Sequence, residues 1–336
     1  MLGLIVILLL VLFLPFTIKT IEHNLEMFLF TMGLAAATIS GVMDRQLIEQ
    51  ALTDPINITL AVFLAGLLAK WFKVKLEKSI LWGSRVLTPR IFFGLTVVLL
   101  GLASSIITAI IAAIILVMII KVLPLDRKSE VRFTVLACFS IGLGAALTPI
   151  GEPLATITIS KLDKDFIYLL ELIGKEVLPA IIIFGAMSIL LVRPMGGEKG
   201  LHTVSQPESY GEIAERSLKI YLFVMGLTFL GHGFEPLIKT YVIGLSPAFL
   251  YWINMISAIL DNATLAAAEI SPAMDTGTTK AVLLGLIISG GMLIPGNIPN
   301  IIAAGKLDIT SREWAAFGVP VGLATMLIYN IILFFL

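Results

Sequence analysis

The chain has 336 residues, of which 58% are hydrophobic and 14% are charged, and its mean hydropathy is +1.02. A soluble domain carries about 25% charged residues, so this composition excludes an ordinary soluble globular protein and indicates one that crosses a lipid bilayer several times. The 23 basic and 23 acidic residues cancel, and no basic block points to a nucleic-acid partner. Cys138 is the single cysteine, which excludes an internal disulfide.

Three apolar runs begin the chain, at residues 2–18, 27–43 and 55–72. Each is about as long as the roughly 20 residues that one bilayer crossing needs. The first run lacks the basic start and the cleavage site of a secretory signal, so we expect it to remain as a membrane helix. The next segment, 70–90, holds six basic residues. Because cytoplasmic loops carry the excess of Lys and Arg, this segment is predicted to be cytoplasmic and the N-terminus to lie outside.

The following apolar segment, 91–120, is too long for a simple crossing. Its 30 residues would extend about 45 Å as one helix, beyond a hydrocarbon core of roughly 30 Å. Basic loops flank it on both sides, which predicts a re-entrant hairpin with its tip at 102–108. The alternative is one long tilted helix, which would place the basic residues of the following loop outside.

Two later segments, 141–153 and 289–300, interrupt apolar runs with Gly, Pro, Asn and Glu. Aligning Gly151 with Gly296 places the KLD of 161–163 on the KLD of 306–308 without a gap, and Glu152 then matches Asn297. Non-helical backbone survives at membrane depth only where protein or a water-filled cavity satisfies it. Paired interruptions in two halves are the best sequence pointer to a transporter site.

These features predict an all-α polytopic membrane protein made of two inverted repeats. The first half, residues 1–192, is expected to contain three scaffold helices, a hairpin (91–120), a broken helix (133–160) and a closing helix. Residues 193–217 are polar and are predicted to form a cytoplasmic linker. The second half, residues 218–336, is expected to contain a helix, a hairpin (247–273, tip 257–264), a broken helix (281–304) and a closing helix. Both termini are then outside.

Asp261 is the strongest candidate for a functional residue. An ionisable residue in the middle of an apolar segment is costly and usually faces a functional cavity. Asn262 and Thr264 add neutral oxygens, and hard cations such as sodium favour carboxylate, carbonyl and hydroxyl ligands. The alternative is that Asp261 caps a helix after the turn, and capping and ligation can coexist at a hairpin tip.

Glu152 lies at the first break, between Gly151 and Pro153, and is the second candidate. The alternative for Glu152 is an exposed loop near the outer surface. Glu269 and Asp275 are interpreted as part of a solvated mouth. The full predicted ion-binding set is Ser104, Ser105, Thr148, Gly151, Glu152, Asp261, Asn262, Thr264, Gly296, Asn297 and Asn300, with Asp261 and Glu152 as the sodium ligands.

The tips and breaks contain no Lys or Arg, which favours a cation as at least one transported species. His23 and His202 are interpreted as surface residues, and His232 as interfacial. No nucleotide-binding loop, metal motif or nucleophile elbow is present, so we expect neither an enzyme nor a cofactor other than sodium ions and protons.

The motifs LDNATLAAA (260–268), GNIPNII (296–302) and TPIGEPLA (148–155) resemble the ion transporter superfamily. That group includes arsenite permeases, citrate–metal symporters, sodium–dicarboxylate carriers and NhaD-type sodium/proton antiporters. The short chain length suggests a resemblance to a minimal branch of cation transporters. The resemblance implies a homodimer with an elevator motion. One departure is that Ser104 and Ser105 stand where such members carry an Asp-Asn pair in the first hairpin.

The leading functional expectation is a secondary transporter of the cell membrane that exchanges sodium for protons, with Asp261 and Glu152 alternating between the two ions. The alternative is a sodium- or proton-coupled carrier of a small anion or neutral oxyacid. The hypotheses from other classes are a passive channel, an intramembrane enzyme and a non-transporting subunit. Paired inverted breaks favour alternating access over a channel.

Overall fold

The computed structural model describes residues 2–18, 20–21, 24–71, 87–194, 209–241, 245–270, 272 and 274–335. Within them the chain forms fourteen α-helices and no extended strand. Much of the basic segment 70–90, most of the linker 193–217, His23 and His202 lie outside the described residues.

The helices follow one another closely in sequence. The N-terminal group is α1 (Leu2–Thr17), α2 (Leu25–Ser40) and α3 (Arg45–Trp71). The next group is α4 (Pro89–Ile107), α5 (Ala109–Val122), α6 (Arg127–Ala145), α7 (Pro153–Leu162) and α8 (Tyr168–Leu191). The last group is α9 (Tyr210–Tyr241), α10 (Pro247–Ile253), α11 (Asn262–Glu269), α12 (Thr276–Gly290), α13 (Ile298–Leu307) and α14 (Ser311–Phe334), with 3-10 turns at Asn254–Ala258 and Ile294–Gly296.

Among the described residues, four helices are long and apolar enough to cross a bilayer: α4, α8, residues Tyr210–Leu237 of α9, and α14. Large apolar side chains on their outer faces are exposed, among them Ile182 and Ile183 on α8 and Leu327 and Ile328 on α14. Lipid tails solvate such side chains, whereas water does not. The protein is therefore an all-helical protein embedded in a membrane.

Each predicted interruption is a break in the helices. A single residue, Thr108, separates α4 from α5, and residues 146–152 separate α6 from α7. In the second half, the 3-10 turn Asn254–Ala258 and residues 259–261 separate α10 from α11, while residues 291–297 separate α12 from α13. Proline follows the break at the first position of α7 and the second of α13, where its missing N–H costs no helical hydrogen bond.

The half-helices α7 and α13 match in detail. Both have ten residues, and both begin after an extended residue, Glu152 at φ −154° and Asn297 at φ −153°. Both end at an aspartate in the left-handed region, Asp163 and Asp308, each at φ 50°. The gapless alignment made from the sequence therefore corresponds to the same backbone path.

The tips before α5 and α11 also match. Ser104 Oγ donates a 2.9 Å hydrogen bond to the carbonyl of Ile141, and Ser257 Oγ donates a 3.1 Å bond to the carbonyl of Leu286. Counting on from these serines places Thr108 opposite Asp261. Thr108 and Asp261 both cap the next helix by accepting a backbone N–H from three residues on. Thr108, rather than Ser104 and Ser105, is thus the counterpart of Asp261.

The central helices pack both within their own group and against the other group. Within each group, the first arm packs on the first half of the broken helix: α4 on α6, and α10 with its 3-10 turn on α12. Across the groups, α5 packs on α13 and α11 packs on α7. Helices α2 and α3 pack on α9, with Gly226 allowing close approach to the backbone of Phe30.

Candidate ion-binding site

The starts of four helices surround two neighbouring cavities. We call the smaller one the site cavity; it has a volume of about 360 Å³ and is lined by the first residues of α5, α7 and α13, including Thr108, Glu152 and Asn297. We call the larger one the access cavity; it has a volume of about 630 Å³ and is lined by Asp261 at the start of α11. Ile110 and three further apolar residues line both.

Asp261 is half-buried and faces the access cavity. Its Oδ2 accepts hydrogen bonds from the backbone N–H of Thr264 at 3.0 Å and from the Thr264 hydroxyl at 3.2 Å. Asp261 is therefore a helix cap. Because both bonds use Oδ2, the cap leaves carboxylate lone pairs that can accept from a further partner.

Glu152 is buried, at 5% exposure, so it is not an exposed loop residue. It precedes α7, yet its side chain makes no capping hydrogen bond. The carboxylate lies beside the amide of Asn262 and within electrostatic range of Asp261. Glu152 Oε1 and Asn262 Nδ2 are both buried without a well-formed hydrogen bond. The structure thus brings together two acidic residues that are 109 positions apart, one from each half.

Three titratable residues of the access cavity were not predicted as site residues from the sequence. Asp54, on α3, is in electrostatic range of Asp261. His232 and Glu235, on α9, form a pair with 3.5 Å between Nδ1 and Oε2. They reach the site through the packing of α3 and α9 against the central helices, and no local motif marks them.

The asparagines after the second break have different surroundings. Asn297 lines the site cavity, and its side chain makes no capping bond to α13. Asn300 is buried, and its Nδ2 donates to the carbonyls of Gly290 at 2.8 Å and Leu293 at 2.9 Å. Asn300 therefore holds the backbone of the break in place, and only its Oδ1 lacks a partner.

The hydroxyl groups of the first half donate to main-chain carbonyls. Ser104 bonds to Gly101 and Ile141, Ser105 bonds to Leu102, and Thr148 bonds to Ser105. None of these three side chains lines the site cavity or the access cavity. Their placement ties the first break to the tip between α4 and α5.

The glycines of the breaks allow close backbone contacts. A Cβ atom on Gly296 would lie 2.5 Å from the carbonyl oxygen of Gly290 and 2.5 Å from that of Ser257. A Cβ atom on Gly151 would overlap the carbonyl of Ala145. Both glycines thus serve the fit of the break against its neighbours.

The two outer acidic residues differ from one another. Asp275 is exposed, as a solvated mouth requires, and hydrogen bonds from the backbone and hydroxyl of Thr278 lower the pKa of its carboxyl. The same interpretation of Glu269 is wrong, because Glu269 is only 2% exposed. The packing of α11 between α7, α9 and α12 encloses it.

The chemistry of the two cavities follows from their charges. Acidic and neutral oxygen groups line them, and among the described residues no Lys or Arg does. Two carboxylates within electrostatic range of each other repel unless a proton or a cation neutralises one of them. The arrangement is suited to binding a hard cation or a proton.

Comparison with known proteins places the chain in a family. No curated protein matches it at a significant level. The model of the family described as "Protein of unknown function (DUF1646)" matches residues 1–336, and the chain therefore belongs to that family.

Proposed function

We propose that this protein is a secondary transporter that exchanges sodium ions for protons by alternating access. The observation that carries the proposal is the meeting of Glu152 and Asp261, from opposite halves, beside two cavities. A carboxylate pair binds either a cation or a proton, and the two ions compete for the same oxygens. Competition at one site is the physical requirement for exchange.

The proposed architecture is a pair of inverted repeats with re-entrant hairpins. The equal half-helices α7 and α13, and the matching caps Thr108 and Asp261, support two copies of one unit. The crossed packing of α5 on α13 and of α11 on α7 supports a two-fold relation between them. Inverted repeats place their site near the bilayer midplane, where discontinuous helices meet.

Contacts between distant loops support the proposed orientation. Arg127, predicted to be cytoplasmic, binds Glu313 at 2.8 Å and the carbonyl of Asp308 at 2.6 Å, both at the cytoplasmic end of the second half. Lys280 binds Glu176 at 2.8 Å at the opposite end. Residues assigned to one side of the membrane thus contact each other.

The access cavity supports an outward-facing state. Its rim includes the exposed residues Thr53 and Asp54 and the half-buried Gln50. They lie in the first turns of α3, which runs inwards in the proposed topology. From this rim the cavity reaches Asp261. We place Asp54 on the path by which a cation approaches the carboxylate pair. The homodimer, the elevator motion and the cell-membrane location remain part of the proposal through the family resemblance.

A second candidate, a coupled carrier of a small anion or neutral oxyacid, is favoured by one observation. Two of the four helix starts have neutral caps, Thr108 and Asn297, and both line the site cavity. Helix N-termini carry unpaired N–H groups and partial positive charge, which stabilise anions. In this variant the carboxylates bind the co-ion.

The test is ion flux into proteoliposomes that contain a pH-sensitive dye. Sodium, lithium or potassium gradients are imposed on wild type, on Asp261→Asn and on Glu152→Gln. We expect sodium-driven proton movement in wild type and at least a tenfold loss of its rate in Asp261→Asn. The loss in Glu152→Gln should be milder if Glu152 affects only the electrostatic field at the site.

Asp275→Asn is the matched control. Asp275 caps α12 with the same pair of bonds to Thr278 that Asp261 makes to Thr264, but it is exposed and lines neither cavity. Asn caps helices about as well as Asp, so this variant should exchange ions normally. An unaltered rate and pH dependence in Asp261→Asn would refute the exchange mechanism and favour the anion carrier, which labelled-oxyanion uptake then tests.

A further inference from the structure

A second buried acid lies away from the cavities, between the two arms of the predicted second hairpin. Glu269 is the last residue of α11 and is 2% exposed, and Asn254 begins the 3-10 turn and is fully buried. The carboxyl of Glu269 and the amide of Asn254 lie against each other. The proposed exchange mechanism does not use either residue.

The unsatisfied atoms of this pair are both acceptors. Glu269 Oε2 and Asn254 Oδ1 are buried without a hydrogen-bond donor. The nearby hydroxyls cannot supply one, because Ser257 donates to the Leu286 carbonyl and Ser289 donates to the main-chain carbonyl of Asn254. A buried acceptor without a donor is costly.

The contrast with Glu152 is informative. There the unsatisfied atoms are a carboxylate oxygen and the Nδ2 donor of Asn262, so an ionised carboxylate suits its surroundings. At Glu269 both unsatisfied atoms are acceptors, so one proton between them is needed to form a hydrogen bond. A carboxylic acid and an amide form two complementary bonds, O–H to the amide oxygen and N–H to the acid carbonyl, whereas a carboxylate can form only the second.

We infer that Glu269 and Asn254 form a second proton-binding site, in which Glu269 is held as the neutral acid and donates its proton to Asn254 Oδ1. The inference does not depend on the proposed transport activity. It concerns the charge state of one buried residue and can be tested without any flux.

The equivalent positions in the first half support a specific role. Counting from the matched caps Thr108 and Asp261, Asn254 corresponds to Gly101 and Glu269 corresponds to Leu116. The first half therefore forms a tip and a following helix with no polar pair at these positions. An acid is thus not needed to form the helix after the tip.

Charged and titratable groups on the elements packed against α11 have other partners. Lys161 on α7 donates to the Ile270 carbonyl at 3.3 Å, and Tyr251 on α10 donates to the Met326 carbonyl. On α9, His232 and Glu235 pair with each other, and on α12, Lys280 binds Glu176. These contacts leave Asn254 as the group that meets the proton of Glu269.

The test is infrared difference spectroscopy of the protein in lipid nanodiscs at neutral pH. Wild type minus Glu269→Gln should contain the carbonyl stretch of a protonated carboxyl. Glu269→Gln should fold, because two amides are as complementary as an acid and an amide. In the Asn254→Ala variant the carbonyl stretch of protonated Glu269 should move to higher frequency, because the carboxyl loses its hydrogen-bond acceptor.

Two further variants make the outcome decisive. Asp275→Asn, which removes an exposed ionised carboxylate, should give carboxylate stretches and no acid band. Wild type minus Glu269→Leu, a variant that copies Leu116, should contain the same acid band as wild type minus Glu269→Gln, and the variant should fold. A difference spectrum for Glu269→Gln that contains only carboxylate stretches would overturn the assignment. An acid band that Asn254→Ala leaves in place would overturn the pairing.

Discussion

The substitution Gly296→Ala, which adds a single methyl group, tests whether the tip of the predicted second hairpin contacts the second break. The Cβ atom of alanine at this position would lie 2.5 Å from the carbonyl oxygens of Ser257 and Gly290. Both neighbours are main-chain atoms, which cannot rotate away as a flexible side chain can. Overpacking of this kind costs about 1–3 kcal/mol, and we expect the upper end because two contacts must be relieved together.

Gly305→Ala provides the matched control in the adjoining helix. No atom lies within 4 Å of a Cβ at Gly305, which is exposed on α13. Replacing a glycine at such a site stabilises a protein by about 0.4–1 kcal/mol. The two alanine variants should therefore differ by roughly 3 kcal/mol or more in the free energy of unfolding.

The assay is thermal unfolding in a mild detergent, followed by fluorescence. A change of 1 kcal/mol shifts the midpoint by about 2 °C in a large domain, so Gly296→Ala should unfold roughly 6 °C below wild type and Gly305→Ala at or slightly above it. If Gly296→Ala were as stable as wild type and as active in the flux assay, the close approach of Ser257 to the break would be wrong. The site assembled around that contact would then need revision.

Two other predictions test the topology and the contact between the halves. Single cysteines are placed at Thr88 and Lys128, which are exposed at the two ends of the predicted first hairpin. Both should be labelled by an impermeant reagent from the cytoplasmic side, against a low background from Cys138 at 1% exposure. Labelling from opposite sides would rule out that hairpin. Arg127→Ala should lower the free energy of unfolding by about 1.5–3 kcal/mol, because it removes charge-assisted bonds to Glu313 and to two carbonyls. Arg45→Ala, which breaks an exposed pair with Glu49, should change the free energy of unfolding by at most about 0.5 kcal/mol. Equal effects of the two substitutions would contradict a stabilising contact of Arg127 between the halves.

The helix breaks could be predicted from the sequence because their causes are local. Glycine and proline weaken a helix wherever they occur, and the KLD repeat fixed the alignment of the two breaks. The capping role of Asp261 followed from its residue type at a turn. These features need no knowledge of the neighbouring helices.

The remaining features depend on packing between distant segments. Asp54 and His232 reach the access cavity because α3 and α9 pack beside the central helices, and no local pattern encodes that contact. The burial of Glu269 was missed because hydropathy cannot distinguish a helix face against protein from one near a membrane surface. The equivalence of Thr108 with Asp261 appeared only through the matched serine bonds of the two tips.

The charges at the four helix starts favour coupled transport over simple cation passage. Each helix N-terminus carries about half a positive charge, so four of them together offer about two. Ionised Glu152 and Asp261 balance that charge, and the caps Thr108 and Asn297 add none.

A cation that entered this balanced site alone would leave one positive charge uncompensated in a medium that screens charge poorly. The net charge does not change if the cation replaces a proton already on the pair, which is exchange. The balance of the ionised pair is kept if an anion enters beside Thr108 and Asn297 together with the cation, which is co-transport. Under the proposed function, the cation is therefore coupled to a second ion in either case, and the flux measurements with Asp261→Asn decide which of the two partners accompanies the cation.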